Sequence, residues 1–216
     1  MLYGQQIDAP ARNRWSRRRV GAATAFGAHT VARAVVAVMA FDIETLARAA
    51  DRGDATIGDL QNAVQRMTPF AEIATYVWWC AVAAVVSWSF VTVRHALRRG
   101  LGRTLNPWIA ALGWLVPVGN LALPWRQLRR AASAGDPRGP RSLVWWQGSF
   151  AVMSVLEVVT TIQLVMLRDS TDASDAFGLL HSLLTWSALQ ALTLAFAGII
   201  GIVAMRDVES AIVDFG

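Results

Sequence analysis

A chain of 216 residues that is 55% hydrophobic and only 16% charged, with a mean hydropathy of +0.39, falls outside the range of soluble domains. All 20 of its basic residues are arginine and 15 residues are acidic; the net charge of +5 sits in short segments beside apolar runs, where it sets topology, so no nucleic-acid partner is expected. The one cysteine, Cys80, lies within an apolar run, which excludes an internal disulfide and predicts a small buried packing residue.

The first segment, 1–19, carries Arg12, Arg14, Arg17, Arg18 and Arg19 against Asp8, and reads as a basic cytoplasmic tail. The stretch 20–41 follows. Val38-Met39-Ala40 has the look of a signal-peptidase site, but the apolar run is about 22 residues long and holds His29 and Arg33, which predicts an uncleaved first helix. Three further stretches, 70–93, 143–167 and 178–205, are also long enough to cross roughly 30 Å of hydrocarbon at about 1.5 Å per helical residue.

Between the first two spans, 42–69 holds Asp42, Glu44, Asp51, Asp54 and Asp59 against Arg48, Arg52 and Arg66, and is expected outside. Its apolar spacing predicts two short helices broken at Asp51-Arg52-Gly53-Asp54, capping the outer ends of the spans. The acidic connection with Asp169, Asp172 and Asp175 is likewise placed outside. Segment 206–216 reads as a short cytoplasmic tail.

The stretch 105–124 differs from the spans in holding Pro107, Pro117, Pro124, Gly113 and Gly119, residues that break helices. Arginines flank it on both sides: Arg94, Arg98, Arg99 and Arg103 before it, Arg126, Arg129, Arg130, Arg138 and Arg141 after it. It is therefore expected to enter and leave on one face, re-entrant or interfacial. The architecture that follows is all-α: a single polytopic membrane helix bundle over 20–205, with four transmembrane helices plus this broken segment, in the cell membrane with both termini cytoplasmic.

The run Gly113-Trp114-Leu115-Val116-Pro117-Val118-Gly119-Asn120-Leu121 is followed by Leu123-Pro124-Trp125-Arg126, Arg129-Arg130, an Asp136-Pro137 turn and the Trp145-Trp146 pair. Together these resemble the signature of an actinobacterial membrane family, the domain-of-unknown-function family 4328. The resemblance covers Tyr76 to Met205 and implies a multi-pass fold. It transfers no activity, because that family has none assigned.

Charges at bilayer depth are costly, which makes Arg33 and Glu157 the first functional candidates. Counted from the cytoplasmic ends of their spans, both lie about 20 Å deep and can meet. His29, one turn before Arg33, can join them. The set reads as a polar site or proton-linked pathway, or as an ion pair that fixes which helices pack. Gln163 and Gln190 are the other large polar residues well inside spans.

A second candidate is the turn with Pro117, Gly119 and Asn120. A re-entrant turn places backbone groups at membrane depth, which Asn120 would satisfy or which a ligand or ion would use. Arg126, Arg129 and Arg130 lie three to four residues apart, on one helical face suited to anionic lipid headgroups. Trp15, Trp108, Trp125, Trp145 and Trp146 fall near inner boundaries, as in an aromatic belt. Small-residue stripes (Ser187, Ala191, Ala195, Gly198; Cys80, Ala84, Ser87) allow close helix packing, within the chain or in a homo-oligomer.

The sequence contains no His-Glu-x-x-His, no Gly-x-Ser-x-Gly and no P-loop, and its three histidines, His29, His95 and His181, are scattered. No enzyme, cofactor or metal is expected. The reading is a binding or scaffolding component of the membrane, with a small transporter or channel-like protein as the alternative.

Overall fold

The computed structural model describes residues 9–54, 56–102, 104–116, 119–133, 139–169 and 173–213, and among these every regular element is helical. In chain order they are α1 (Ala9–Asp51), α2 (Ile57–Arg98), the short α3 (Pro107–Leu112), α4 (Leu123–Ala132), α5 (Arg141–Asp169) and α6 (Ala173–Val213). Two single turns of 3₁₀ helix, Gly113–Leu115 and Gly119–Leu121, join α3 to α4.

Three stretches are long and apolar enough to cross a membrane: Gln65–Arg98, Arg141–Gln163 and Thr185–Val213. The chain is a membrane protein on that ground. The expected first span, 20–41, lies within α1 and is not one of the three.

Helix ends follow local chemistry. Asn106 caps α3: its Oδ1 accepts from the backbone amides of Trp108 at 2.9 Å and Ile109 at 3.2 Å, and Pro107 supplies the first-turn φ. At the end of α2, Gly100 adopts φ +74, and the Leu101 amide reaches back to Ala96 O at 3.1 Å. This six-to-one bond satisfies a carbonyl that the helix end leaves open.

Two expectations, those for 42–69 and for Cys80, are corrected. Segment 42–69 is no separate pair of capping helices: α1 and α2 run into it without interruption, and the chain reverses only at Arg52-Gly53-Asp54. Pro69 sits inside α2, where it removes one backbone donor while the turns on either side continue. The segment 206–216 is helical to Val213, because Val208 and Ile212 continue the buried face begun by Ala204 and Met205. The described part of 1–19 is helical from Ala9. Cys80 is exposed, on the same outward side of α2 as Trp79, rather than buried.

By contacts the chain forms two compact units, one from Met1–Gly27, Trp79–Ala151 and Phe196–Gly216, the other from Ala28–Trp78 and Val152–Ala195. The first is built on aromatic packing. Trp88 and Trp146 are fully buried, and Trp125 and Trp114 nearly so. Trp125 lies 4.9 Å from both Trp114 and Trp146, and Phe150 and Phe26 extend the cluster edge to face. Such pairs add about 0.5–1.5 kcal/mol each beyond area burial. Trp125 and Trp146 are thus core residues, not the belt residues expected, because α4 and α5 turn those positions inward; Trp108 and Trp145 are exposed. Trp15 contributes no described side chain.

The second unit holds Ile43, Ala47, Ala74, Met153, Leu156 and Leu194 as its buried apolar residues, with His29, Glu44 and Gln190 buried beside them.

Candidate functional site

The broken segment folds as a helical hairpin, α3 packed against α4. The hairpin closes through Gly113, where an added Cβ would stand 3.0 Å from Leu123 Cβ and from Pro124 Cδ. Only glycine lets the two backbones approach this closely. Gln127, buried on α4, accepts from the Asn106 amide at 3.0 Å and ties the base of the hairpin together. Trp125 Nε1 donates to Asn120 O at 2.8 Å, and the Asn120 amide donates to Val116 O at 2.8 Å.

Asn120 therefore contributes its backbone to the turn. Its side-chain Oδ1 is buried with no hydrogen-bond partner among the described residues, so the expectation that this side chain satisfies the turn is corrected for that oxygen. Gly119 is half-buried against Val116 and Leu123. Pro117, the third member of the predicted turn, lies outside the described residues, as do Asp136 and Pro137.

Outward, the hairpin has two characters. Along α3 and the 3₁₀ turn, Trp108, Ile109, Leu112, Leu115 and Val116 are exposed, Trp108 by 62%. On α4 the exposed face is cationic, with Arg126, Arg129 and Arg130 opposite the buried Trp125, Leu128, Ala131 and Ala132. These arginines form one wall of an open cleft of about 560 Å³, with Ser133; Leu101, Gly102, Thr104 and Leu105 form the other. None of the three takes part in an ion pair among the described residues.

In the second unit Arg33 Nη2 stands 3.9 Å from Glu157 Oε2. Gln190 Nε2 donates to the same carboxylate oxygen. The third member of the predicted set does not join them: His29 Nδ1 faces Ala74 O at 3.0 Å. Since a carbonyl only accepts, Nδ1 carries the proton, and the ring packs tilted against Trp78, the centroids 5.0 Å apart. His29 pins α1 to α2 and is 2% exposed. Gln163 is spent on Ser182, to whose Oγ its Nε2 donates at 2.7 Å.

A node that sequence reasoning missed lies in the first unit. Glu209, buried on α6, receives Trp88 Nε1 at 2.9 Å on one oxygen and Arg19 Nη1 at 2.7 Å on the other. Two residues earlier Ser142 Oγ donates to Asp207 Oδ2 at 2.5 Å, and three residues later Arg99 Nη1 donates to Ile212 O at 2.8 Å. The available signal was the apolar spacing of Ala204, Met205, Val208 and Ile212, which carries the helix past the assumed end of the span.

Among the described residues no three histidine, cysteine, aspartate or glutamate side chains converge as metal ligands would. Compared with protein-family models, with curated proteins and with solved structures, the chain gives no significant match.

Proposed function

We propose that this chain is a four-span protein of the cell membrane with both termini cytoplasmic, acting as a binding or scaffolding component whose recognition element is the α3–α4 hairpin at the inner interface. The observation that carries the proposal is the two-sided surface of that hairpin: exposed apolar residues along α3, and along α4 exposed arginines that make no ion pair among the described residues. An element of that character rests at the boundary of acyl chains and headgroups. The six residues of α3 give about 9 Å of helix, far short of roughly 30 Å of hydrocarbon, which favours an interfacial over a deep re-entrant placement.

Four spans follow if 20–41 of α1 crosses with the three more apolar stretches. The arginine clusters on 1–19, 94–103 and 126–141 then share the cytoplasmic face. The resemblance of Gly113 to Trp146 to the domain-of-unknown-function family 4328 belongs to the same proposal.

A cysteine-accessibility map on a Cys80→Ser background tests this placement. Probes at Gly102 should label from the cytoplasmic side and probes at position 172, beyond the described residues, from outside. Labelling of position 172 from the cytoplasm sinks the four-span arrangement.

A second reading, a small transporter or channel-like protein, draws on Arg33 and Glu157 facing each other within apolar stretches. Gln190 on the same carboxylate favours a structural role for the pair. Proteoliposome flux unchanged by Glu157→Gln and Arg33→Ala would leave the pair purely structural.

A further inference from the structure

A polybasic surface attracts an anionic leaflet without needing a shape, but the arginines of α4 do not stand on a convex surface. They line a concave cleft of about 560 Å³ opposite Leu101, Gly102, Thr104 and Leu105. The helix end beneath them is tied by Ser133 Oγ, which donates to the backbone Arg129 O at 2.7 Å, and the buried Gly139 lies beside the Arg129 stem, an added Cβ there standing 3.3 Å from Arg129 Cγ. Thr104 and Ser133 add hydroxyls to the walls.

Three guanidinium groups with no carboxylate partner among the described residues suit a ligand of more than one negative charge. A phosphodiester brings a single charge; a phosphomonoester brings about −1.5 to −2 at neutral pH and three terminal oxygens suited to guanidinium forks. The source of the phosphate is indicated by the surroundings. Leu101 and Leu105 line the cleft, and the exposed Trp108, Ile109 and Leu112 of α3 belong to the same hairpin. That combination fits a phosphate attached to acyl chains better than one free in water.

We propose that this cleft is a specific site for the terminal phosphate of a lipid phosphomonoester, gripped by Arg126, Arg129 and Arg130. The proposal rests on the placement of the hairpin at the inner interface and deepens it by naming the ligand class.

The test uses the full chain in phosphatidylcholine nanodiscs doped with phosphatidic acid, or with phosphatidylglycerol at the same mole fraction, and counts bound lipid by native mass spectrometry. Phosphatidic acid should be retained about tenfold better, the factor expected from one additional charge-assisted hydrogen bond. Replacing all three arginines by lysine keeps the charge and removes the forks, so the preference should fall severalfold, leaving only the part due to charge. If that triple variant fails to fold, Arg130→Lys at an exposed position should still reduce the preference.

Equal retention of both lipids, or a preference indifferent to arginine-to-lysine exchange, overturns the site in favour of diffuse attraction. Competition by glycerol 3-phosphate at the concentration of the lipid overturns the lipid assignment. Nanodiscs expose both faces, so failure of the topology shows in the labelling of position 102 and leaves this affinity measurement standing.

Discussion

Trp88 Nε1 donates a 2.9 Å hydrogen bond to Glu209 Oε1, joining the last third of α2 to the last turns of α6 across 121 residues of sequence. The other carboxylate oxygen takes Arg19 Nη1 from α1 at 2.7 Å. A glutamate only 8% exposed is thereby neutralised by one cation and uses both oxygens. Glu209→Ala strands Arg19 and leaves the Trp88 N–H without its acceptor, which should cost about 3 kcal/mol. Glu209→Gln keeps an acceptor for Trp88 and should cost less. Thermal unfolding of the full chain in mild detergent reads the order; an Ala variant that melts like the parent removes the node from the account of stability.

Packing around Trp146 gives a second prediction. A Cβ on Gly201 would stand 2.8 Å from Trp146 Nε1 and 2.9 Å from Cε2, and the ring is fully buried among Trp88, Trp114 and Trp125. Gly201→Ala should therefore destabilise by about 1–3 kcal/mol through overpacking. Gly148, also helical, meets nothing within 4 Å, so Gly148→Ala should be neutral or stabilising by up to about 1 kcal/mol. Side-by-side melting curves check the pair; equal responses would mean that α6 does not press on Trp146 at Gly201.

The long apolar runs were legible because run length is a local property: 70–93, 143–167 and 178–205 each fall inside one helix. The continuation of α1 and α2 through 42–69 was not, since five acids and Pro69 resemble loop signals until helix-forming residues on both sides outweigh them. Depth counting put Arg33 and Glu157 at one level, but the arrival of Gln190 depends on the rotation of α6, which no spacing reports. Likewise the 126, 129, 130 spacing marks a cationic face, whereas the opposing wall at 101–105 depends on how the chain reverses after Gly100. Tryptophan identity alone did not separate Trp125 and Trp146, which pack inward, from Trp108 and Trp145, which do not.

The start of α2 should respond to acid. The Thr56 amide and hydroxyl donate to Asp59 Oδ2 at 2.9 and 2.7 Å, and the Asp59 amide donates back to Thr56 Oγ1 at 3.2 Å, a reciprocal capping box. The side-chain bond from Thr56, then its backbone bond, hold the Asp59 carboxyl below its ordinary value of 3.8. A lowered folded pKa means that the cap's contribution is complete above 3.8 and is lost as pH falls through the lower folded value. Amide exchange over 56–59, corrected for intrinsic rates, should be flat from neutral pH to about pH 5 and should accelerate below about pH 3.8. Thr56→Ala should accelerate exchange at neutral pH and shrink the acid step, since only the backbone amide at 56 still donates to Asp59. An acid step of the same size in that variant would assign it to another carboxylate.

Arg33 and Glu157 offer a way to weigh a pair against its parts. At 3.9 Å the contact is long for a hydrogen-bonded ion pair, and Gln190 already donates to the carboxylate oxygen that faces Arg33. Both charges nonetheless sit within apolar stretches, where a lone charge is expensive and a compensated one is tolerated. Replacing one partner by leucine leaves the other uncompensated, and each single variant should lose about 3 kcal/mol. Replacing both removes the uncompensated charge and leaves only the Gln190 amide without its acceptor, so Arg33→Leu/Glu157→Leu should recover most of that loss. The coupling from this cycle, measured by unfolding in detergent, should exceed about 1 kcal/mol. Additive losses would mean that Arg33 is solvated at the headgroups and that Gln190 is the partner Glu157 needs, in which case Gln190→Leu should be the costlier single change.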